Sequence, residues 1–369
     1  MSRAPFRTGR IAAGAVALAA ASLAHAPAVW DHDLAPPPQT ASFTAATPRD
    51  LLDARLDALG EAFGGRVGVA VYALDEGWAV DFNGGEIQPQ QSVSKLWVAL
   101  TVLDAVDRGE LSLSTPVTIR KADLSIFHQP IRDRVGEGAW TTTVGDLLRR
   151  SITQSDNAAN DALVRTVGGP FAVQVAVVGK NLGEIRFGPG ERQMQTEAAG
   201  LTWKPEYSFK RAFWEDREAL PPEVRGKALE AYLADPPDGA SALDIAETLG
   251  RLKQGELLSP ESTEHLLGLM GQTETGSSRL RAGLAPGWTL RHKTGTGQVN
   301  GRLATGYNDV GLLVAPDGTT YAVAVLIGAS RRPFAERSAL IADVARAVIA
   351  THPGPVATAG RPDAGAPRT

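Results

Sequence analysis

The chain has 369 residues, of which 43% are apolar and 21% charged, as in an ordinary globular protein with a full core. Its formal net charge of -4 gives no basic surface of the kind that binds nucleic acid. Because cysteine is absent and the six histidines show no metal-binding spacing, we expect no disulfide, no thiolate chemistry, no metal and no other cofactor.

The N-terminus has the organisation of an export signal. A basic start precedes an Ala-rich apolar run at residues 11–23, and small residues suited to cleavage follow. The run is short for a membrane span, so residues 1–26 are predicted to be a cleaved signal peptide, with an uncleaved anchor as the alternative. The mature protein would be periplasmic or secreted and free of the membrane. Residues 27–46, rich in Pro, Ala and Thr, are predicted to be a linker.

Ordered structure is predicted to begin at residues 47–50, Thr-Pro-Arg-Asp, which form a capping box with proline at the first helical position. Leucines at helical spacing continue this helix to Gly64, and strands are predicted at residues 66–72 and 78–82. The remaining patterns predict helices at 92–108, 143–150, 157–167, 242–253, 260–270 and 333–350, and strands at 289–293, 309–315 and 321–328.

Strands therefore lie towards both ends of the sequence, and helices fill the middle. This order predicts an α/β (α+β) fold, in which an antiparallel sheet is flanked by terminal helices and carries an inserted all-α domain. The α/β domain would comprise residues 47–90 and 285–352, and the helical domain residues 91–284. A cleft between two such domains is a natural ligand site. The small, polar residues 353–369 are predicted to be a disordered tail.

The stretch QSVSKLWVAL, residues 91–100, places a lysine at the head of an apolar segment. On a helix, Ser92 and Lys95 share a face, whereas Ser94 points elsewhere. Because burial penalises a charged ammonium, such a lysine can accept a proton and make the Ser92 hydroxyl nucleophilic. S-x-x-K alone is a weak signal, and a capping serine beside a solvated lysine is the alternative.

Two further motifs follow in order: S-D-N at residues 155–157 and K-T-G at residues 293–295, the latter at the end of a predicted strand. The ordered set S-x-x-K, S-D-N, K-T-G is typical of class A β-lactamases and penicillin-binding proteins. From about residue 47 to residue 350 the sequence resembles the class A serine β-lactamases. The resemblance implies a helical domain beside an α/β domain, with the site between them.

The resemblance also implies roles for the motif residues. Ser92 would be the acylated nucleophile, and Lys95 its base, alone or with Glu191 acting through water. Ser155 would relay a proton to the leaving lactam nitrogen, and Asn157 would order Lys95 and the substrate amide.

The K-T-G strand would bind the substrate. Lys293 would supply a positive field for the substrate carboxylate, and Thr294, Gly295 and Thr296 would line the strand beside it. The backbone N–H groups of Ser92 and Thr296 would form an oxyanion hole.

Glu191 begins the sequence E-x-x-M-Q, where the family has E-x-x-L-N, in an active-site loop predicted at about residues 183–240. Release of an acyl-serine needs a water deprotonated beside it, and a carboxylate with an amide can hold that water. Gln195 carries the amide on a longer side chain than asparagine, which predicts altered water geometry. A solvated loop glutamate and a role for Glu197 instead are the alternatives.

Three other features depart from the family or are less specific. Residues 196–240 include about 34 residues more than the family connection needs, with a helix predicted at 222–233; the insertion would be a lid over the cleft or a packed surface segment. Phe127 falls where the family has an aromatic gate, and Arg302 is a candidate for binding a carboxylate.

The leading functional hypothesis is a monomeric serine β-lactamase that acts on a small-molecule β-lactam. The alternatives are a D,D-peptidase or penicillin-binding acyltransferase acting on cell-wall peptides, and a non-enzymatic β-lactam or muropeptide sensor. Glu191 separates them, because a water held there predicts turnover, whereas a solvent-facing glutamate predicts a lasting acyl-enzyme.

Overall fold

The computed structural model of the protein describes residues 46–353, with the exception of Lys210. The predicted signal peptide, all but the last residue of the predicted linker, and the predicted tail beyond residue 353 lie outside the described residues. The division into two discontinuous domains stays a prediction.

In the described part of the chain the helices are, in order, α1 (Pro48–Phe63), α2 (Lys95–Asp107), α3 (Arg132–Val135), α4 (Val144–Arg149), α5 (Asn157–Thr166), α6 (Pro170–Gly179), α7 (Glu191–Glu197), α8 (Ala212–Ala219), α9 (Pro222–Ala234), α10 (Ala242–Lys253), α11 (Pro260–Gly271) and α12 (Phe334–Thr351). The strands are β1 (Arg66–Ala73), β2 (Trp78–Phe82), β3 (Gln88–Pro89), β4 (Pro116–Arg120), β5 (Ala139–Thr143), β6 (Gly239–Ala240), β7 (Thr289–Thr296), β8 (Val299–Asn300), β9 (Leu303–Val314) and β10 (Thr320–Ser330).

The main sheet has the strand order β2-β1-β10-β9-β7, with β8 paired to the start of β9 and every pairing antiparallel. Strands from before and after the helical region are therefore neighbours, and the predicted α/β fold with an antiparallel sheet is confirmed. Successive residues of β1 serve opposite faces. Val69 and Val71 pack with the terminal helices α1 and α12, and Ala70 packs with the central helices. Because both faces are covered, β1 is buried along most of its length.

The ends of the elements differ from prediction in two places that matter for the site. Ser92 lies in a 3-10 turn, Gln91–Ser94, and the α-helix itself starts only at Lys95. The strand carrying K-T-G runs on to Thr296, because its ladder with β9 continues as far as the pair Thr296–Tyr307. The K-T-G motif therefore lies within β7 and not at its end.

A polar pair is buried in the sheet directly beside the K-T-G motif. His292 Nδ1 lies 2.8 Å from Asp309 Oδ1, and both side chains are fully buried. The other carboxylate oxygen of Asp309 accepts the Leu280 N–H at 3.2 Å. This carboxylate thus ties β7, β9 and the turn before β7 together, which fixes the strand that carries Lys293.

We expect Asp309→Ala to lower the free energy of unfolding by about 3 kcal/mol, because the His292 imidazole and the Leu280 N–H both lose a buried partner. The matched control is Asp343→Ala, which removes a carboxylate paired with Arg346 on the outer side of α12. It should change stability by less than about 0.5 kcal/mol. Urea denaturation measures both, and equal effects would contradict the prediction.

Candidate active site

Ser92 and Lys95 meet where the 3-10 turn passes into α2. The Lys95 Nζ donates to Ser92 Oγ at 2.8 Å, and the lysine is fully buried. Ser94 donates instead to the Gln91 carbonyl at 2.8 Å. The predicted pairing of the first serine with the lysine, and not of the second, is the arrangement in the structure.

The Lys95 ammonium has two further acceptors. It donates to Asn157 Oδ1 at 3.0 Å and forms a short ion pair with Glu191 Oε1. Glu191 is only 3% exposed, whereas Glu197 is exposed and bonds Gln193 at the surface. All three N–H groups of the ammonium are therefore used, which offsets the cost of burying it.

Glu191 reaches this position because α7 begins there and its first turn is fixed to α5. The preceding Gly190 has φ 94°, a left-handed value that favours glycine. The Glu191 backbone N–H donates to Asp161 Oδ1 at 3.1 Å, and Ser125 Oγ donates to the other oxygen of Asp161 at 2.6 Å. Burial, and secondarily the negative charge of Glu191, raises the pKa of Asp161.

The other two motifs converge on the same place. Ser155 has φ 60° and ψ 33°, a left-handed turn between a π-helical turn and α5, and its hydroxyl accepts from Lys293 Nζ at 2.9 Å. Lys293 is fully buried. Burial, followed by the positive charges of Lys95 and Arg279, holds the pKa of Lys293 well below its usual range. A proton on Lys293 is therefore easily given up.

The K-T-G strand lies against the turn that carries Ser92. A Cβ on Gly295 would lie 2.3 Å from the Gln90 carbonyl oxygen, so only glycine permits this approach. Thr294 Oγ1 lies 2.6 Å from Thr275 Oγ1, and Thr296 Oγ1 accepts from Arg279 Nη2 at 2.5 Å. The strand thus has no side chain at Gly295, where it approaches the turn that carries Ser92, and its neighbours Thr294 and Thr296 carry hydroxyls that border the cavity.

The prediction that Arg302 lines the site is wrong. Arg302 is exposed on the turn between β8 and β9 and borders a separate cavity with Phe63 and Arg331. Arg279, which no sequence motif marks, borders the site instead. Arg279 is 7% exposed, and its guanidinium donates to the Gly295 carbonyl at 2.9 Å beside the cavity that Ser92 borders.

Gln195 holds its amide beside Glu191, in a small network of glutamines. Gln195 Nε2 lies 3.3 Å from Glu191 Oε2 and donates to Gln91 Oε1 at 2.8 Å. Gln298 Nε2 donates to Gln195 Oε1 at 3.1 Å. The side chain that the sequence marked as a departure from asparagine is therefore fixed from three sides.

The network continues into the insertion. Gln91 Nε2 donates to the Tyr232 hydroxyl, which donates to Asp238 Oδ1 at 2.9 Å, and Asp238 Oδ2 accepts the Gln91 N–H at 2.6 Å. Tyr232 lies on α9, so the predicted helix of the insertion is present and touches the residue before the nucleophile. Burial raises the pKa of Asp238 to about 6. The predictions missed Gln91, Tyr232 and Asp238, because no local motif marks them.

The side chains brought together surround a cavity of about 300 Å³. Phe127 borders it and has φ 61°, another left-handed value, and its ring stacks on Trp214 of the insertion. The lining residues are Ser92, Phe127, His128, Ser155, Asn157, Glu191, Gln195, Thr275, Arg279, Thr294 and Thr296.

The sequence model of the β-lactamase enzyme family matches residues 51–352. β-Lactamase L2 of Stenotrophomonas maltophilia is 30% identical over 310 residues, which cover 84% of this chain and 86% of the relative. This chain belongs to the β-lactamase enzyme family. β-Lactamase VEB-1 of Pseudomonas aeruginosa is 27% identical over 298 residues, which cover 80% of this chain and 89% of the relative. The solved structure of a β-lactamase of Chitinophaga pinensis matches this chain with a TM-score of 0.67 and 27% sequence identity. The match covers 80% of this chain and 97% of the solved one.

The chain is also 31% identical to a solved variant of the class A β-lactamase of the last common ancestor of Gram-negative bacteria, with a TM-score of 0.62 and coverage of 81% of this chain and 97% of that one. Together with the ordered motifs, this similarity assigns the chain to the class A serine β-lactamases. The two features that the resemblance marks as departures, Gln195 and the insertion, are joined through Gln91, which bonds both Gln195 and Tyr232.

The Asp238 carboxyl predicts a pH dependence of stability. Its pKa is about 6 in the folded protein and 3.8 when unperturbed, so the folded state binds the extra proton between these values. The protonated carboxyl therefore stabilises the folded state fully below a pH of 3.8, and this stabilisation is lost as the pH rises through about 6.

Asparagine at position 238 cannot ionise. We therefore expect the unfolding free energy of Asp238→Asn, relative to that of the native protein, to increase by about 3 kcal/mol as the pH is raised from about 4 to about 7. Asp235→Asn is the matched control, since Asp235 is an exposed carboxylate of the same segment. Urea denaturation across the pH range measures both. A gain for Asp235→Asn as large as for Asp238→Asn, or no gain for either, would contradict the assignment.

Proposed function

We propose that the protein hydrolyses β-lactams through an acyl-enzyme on Ser92. The observation that carries the proposal is the buried Lys95 ammonium, which contacts Ser92, Glu191 and Asn157 at once. A proton transferred from Lys95 to Glu191 leaves an amine, which takes the hydroxyl proton as Ser92 Oγ attacks the lactam carbonyl carbon. The backbone N–H groups of Ser92 and Thr296 then stabilise the developing oxyanion.

The lactam C–N bond breaks as Ser155 donates its proton to the nitrogen. The contact between Lys293 Nζ and Ser155 Oγ supports this role, since Lys293 replaces the proton that Ser155 gives up. The lowered pKa of Lys293 makes that transfer less costly than it would be from an ordinary lysine.

Deacylation requires Glu191 as a base. After acylation, the proton on Glu191 returns through solvent to Lys293, which restores the Glu191 carboxylate. The carboxylate then takes a proton from a water whose oxygen attacks the ester carbonyl, and Ser92 leaves with a proton from Lys95, which Glu191 replaces. Gln195 orients the Glu191 carboxylate through its amide. The burial of Glu191 beside the nucleophile favours turnover over the lasting acyl-enzyme of a D,D-peptidase or a sensor.

Substrate binding follows from the charges and donors on the K-T-G strand. Lys293 and Arg279 supply the positive field for the substrate carboxylate, with Thr294 and Thr296 as hydrogen-bond partners. The Asn157 amide, held by its bond to the Ile126 carbonyl at 2.8 Å, contacts the substrate amide. The basic, apolar N-terminal segment supports a periplasmic or secreted location.

We expect Glu191→Ala to slow turnover of a chromogenic cephalosporin at least about a hundredfold and to accumulate the acyl-enzyme on Ser92, because the base for deacylation is lost, whereas Lys95 can still give its proton to solvent and activate Ser92. Stopped-flow absorbance and intact mass of the protein measure both effects. Glu197→Ala is the control and should turn over like the native enzyme, while Ser92→Ala should form no adduct. Native turnover in Glu191→Ala would remove the residue from the mechanism.

We expect Arg279→Ala to raise KM for a penicillin about tenfold, because one charge-assisted hydrogen bond to the substrate carboxylate is lost. Arg302→Ala should leave KM unchanged. The methyl ester of the same penicillin distinguishes binding from a loss of local structure, since its KM should not respond to Arg279→Ala. An equal rise for acid and ester would overturn the role of Arg279.

A further inference from the structure

A second cavity, of about 640 Å³, opens beside the catalytic cavity and shares four lining residues with it. The shared residues are Phe127, His128, Gln195 and Thr296. The inner wall continues along the chain after Thr296 to Val299. The outer wall belongs to the insertion, which contributes Tyr207, Ser208, Phe213 and Trp214. We call this space the insertion pocket.

Helix α8 of the insertion joins the two sides of the insertion pocket. On one side, the Trp214 ring stacks on Phe127 with centroids 5.6 Å apart and planes at 25°. On the other side, Arg217 Nη2 donates to the Val299 carbonyl at 2.8 Å. Arg217 also lies over the Trp214 ring at 5.5 Å, so the indole is held from both directions. The helix therefore roofs the pocket and leaves it connected to the catalytic cavity.

Four aromatic residues line the insertion pocket: Phe127, Tyr207, Phe213 and Trp214. Phe213 meets Phe127 edge to face at 4.9 Å and is buried, whereas Trp214 and Val299 remain 44% and 48% exposed. None of the described lining residues is acidic, and Arg132 is the cationic one among them. Exposed apolar surface of this kind gains free energy when a flat apolar group covers it.

We propose that Trp214, on helix α8 of the insertion, makes the enzyme selective for β-lactams whose acyl side chain ends in an aromatic ring, because the indole covers that ring in the insertion pocket. This inference rests on the proposed function, because the side chain is placed by acylation at Ser92. A group attached next to the lactam carbonyl leaves the catalytic cavity between Gln195 and Thr296, which border both cavities. Its end then lies against Phe127, Trp214 and Val299.

The test compares two penicillins that differ only in a phenyl group: benzylpenicillin and 6-acetamidopenicillanic acid. The native enzyme should hydrolyse both, with a higher kcat/KM for benzylpenicillin. Trp214→Ala should lower the ratio of the two kcat/KM values about tenfold, with the acetamido substrate nearly unchanged. Trp214→Phe keeps an aromatic ring on Phe127 and should retain most of the ratio.

Phe209→Ala is the matched control, because Phe209 is a partly exposed aromatic residue of the insertion that does not line the insertion pocket. It should leave the ratio as in the native enzyme. A ratio unchanged in Trp214→Ala would overturn the inference. Equal losses on both substrates would also overturn it, because they would assign Trp214 a structural role. Failure of the native enzyme on both penicillins would instead count against the proposed function itself.

Discussion

The burial of the Lys95 ammonium is the constraint on which the rest of the site depends. A buried ammonium is costly unless each of its donors finds an acceptor, and the three acceptors come from the turn before α2, from α5 and from α7. The three elements are thereby held in one arrangement around Ser92. Lys293 adds a second buried ammonium, whose lowered pKa reflects both burial and the nearby charge of Lys95. The site is thus poised for proton transfer between neighbouring groups.

The insertion is part of this arrangement and not an independent surface segment. Its helix α9 reaches Gln91, directly before the nucleophile, through Tyr232, while α8 roofs the cleft through Trp214. The sequence left two alternatives for the insertion, a lid over the cleft and a packed segment. Helix α8 lies beside the cleft, and helix α9 packs against the turn that carries Ser92. The insertion therefore contacts both the turn that carries Ser92 and the rim of the cleft.

The sequence predicted what depends on neighbours along the chain. The capping box at Thr47 and the pairing of Ser92 with Lys95 follow from local spacing, and both are present. The extension of β7 to Thr296 was not predicted, because it depends on pairing with β9. The two strands become neighbours only when the chain folds. For the same reason, the sequence pointed to Arg302 as the arginine of the site, whereas Arg279 borders the cavity. Both arginines lie near β7 in the sequence, but the paths of the loops on either side of the strand determine which of them borders the cavity.

The glutamine at position 195 gains a physical reason from its surroundings. Its amide bonds Gln91 and approaches Glu191 while its oxygen accepts from Gln298, so the longer side chain meets partners on three elements. An asparagine, one carbon shorter, would have to give up part of this set or draw the elements together. Gln91 in turn is held by Tyr232 and Asp238 of the insertion. The departure from the family motif and the insertion are therefore parts of one hydrogen-bonded unit, in which the amide beside the deacylating carboxylate is positioned from the far side of the cleft.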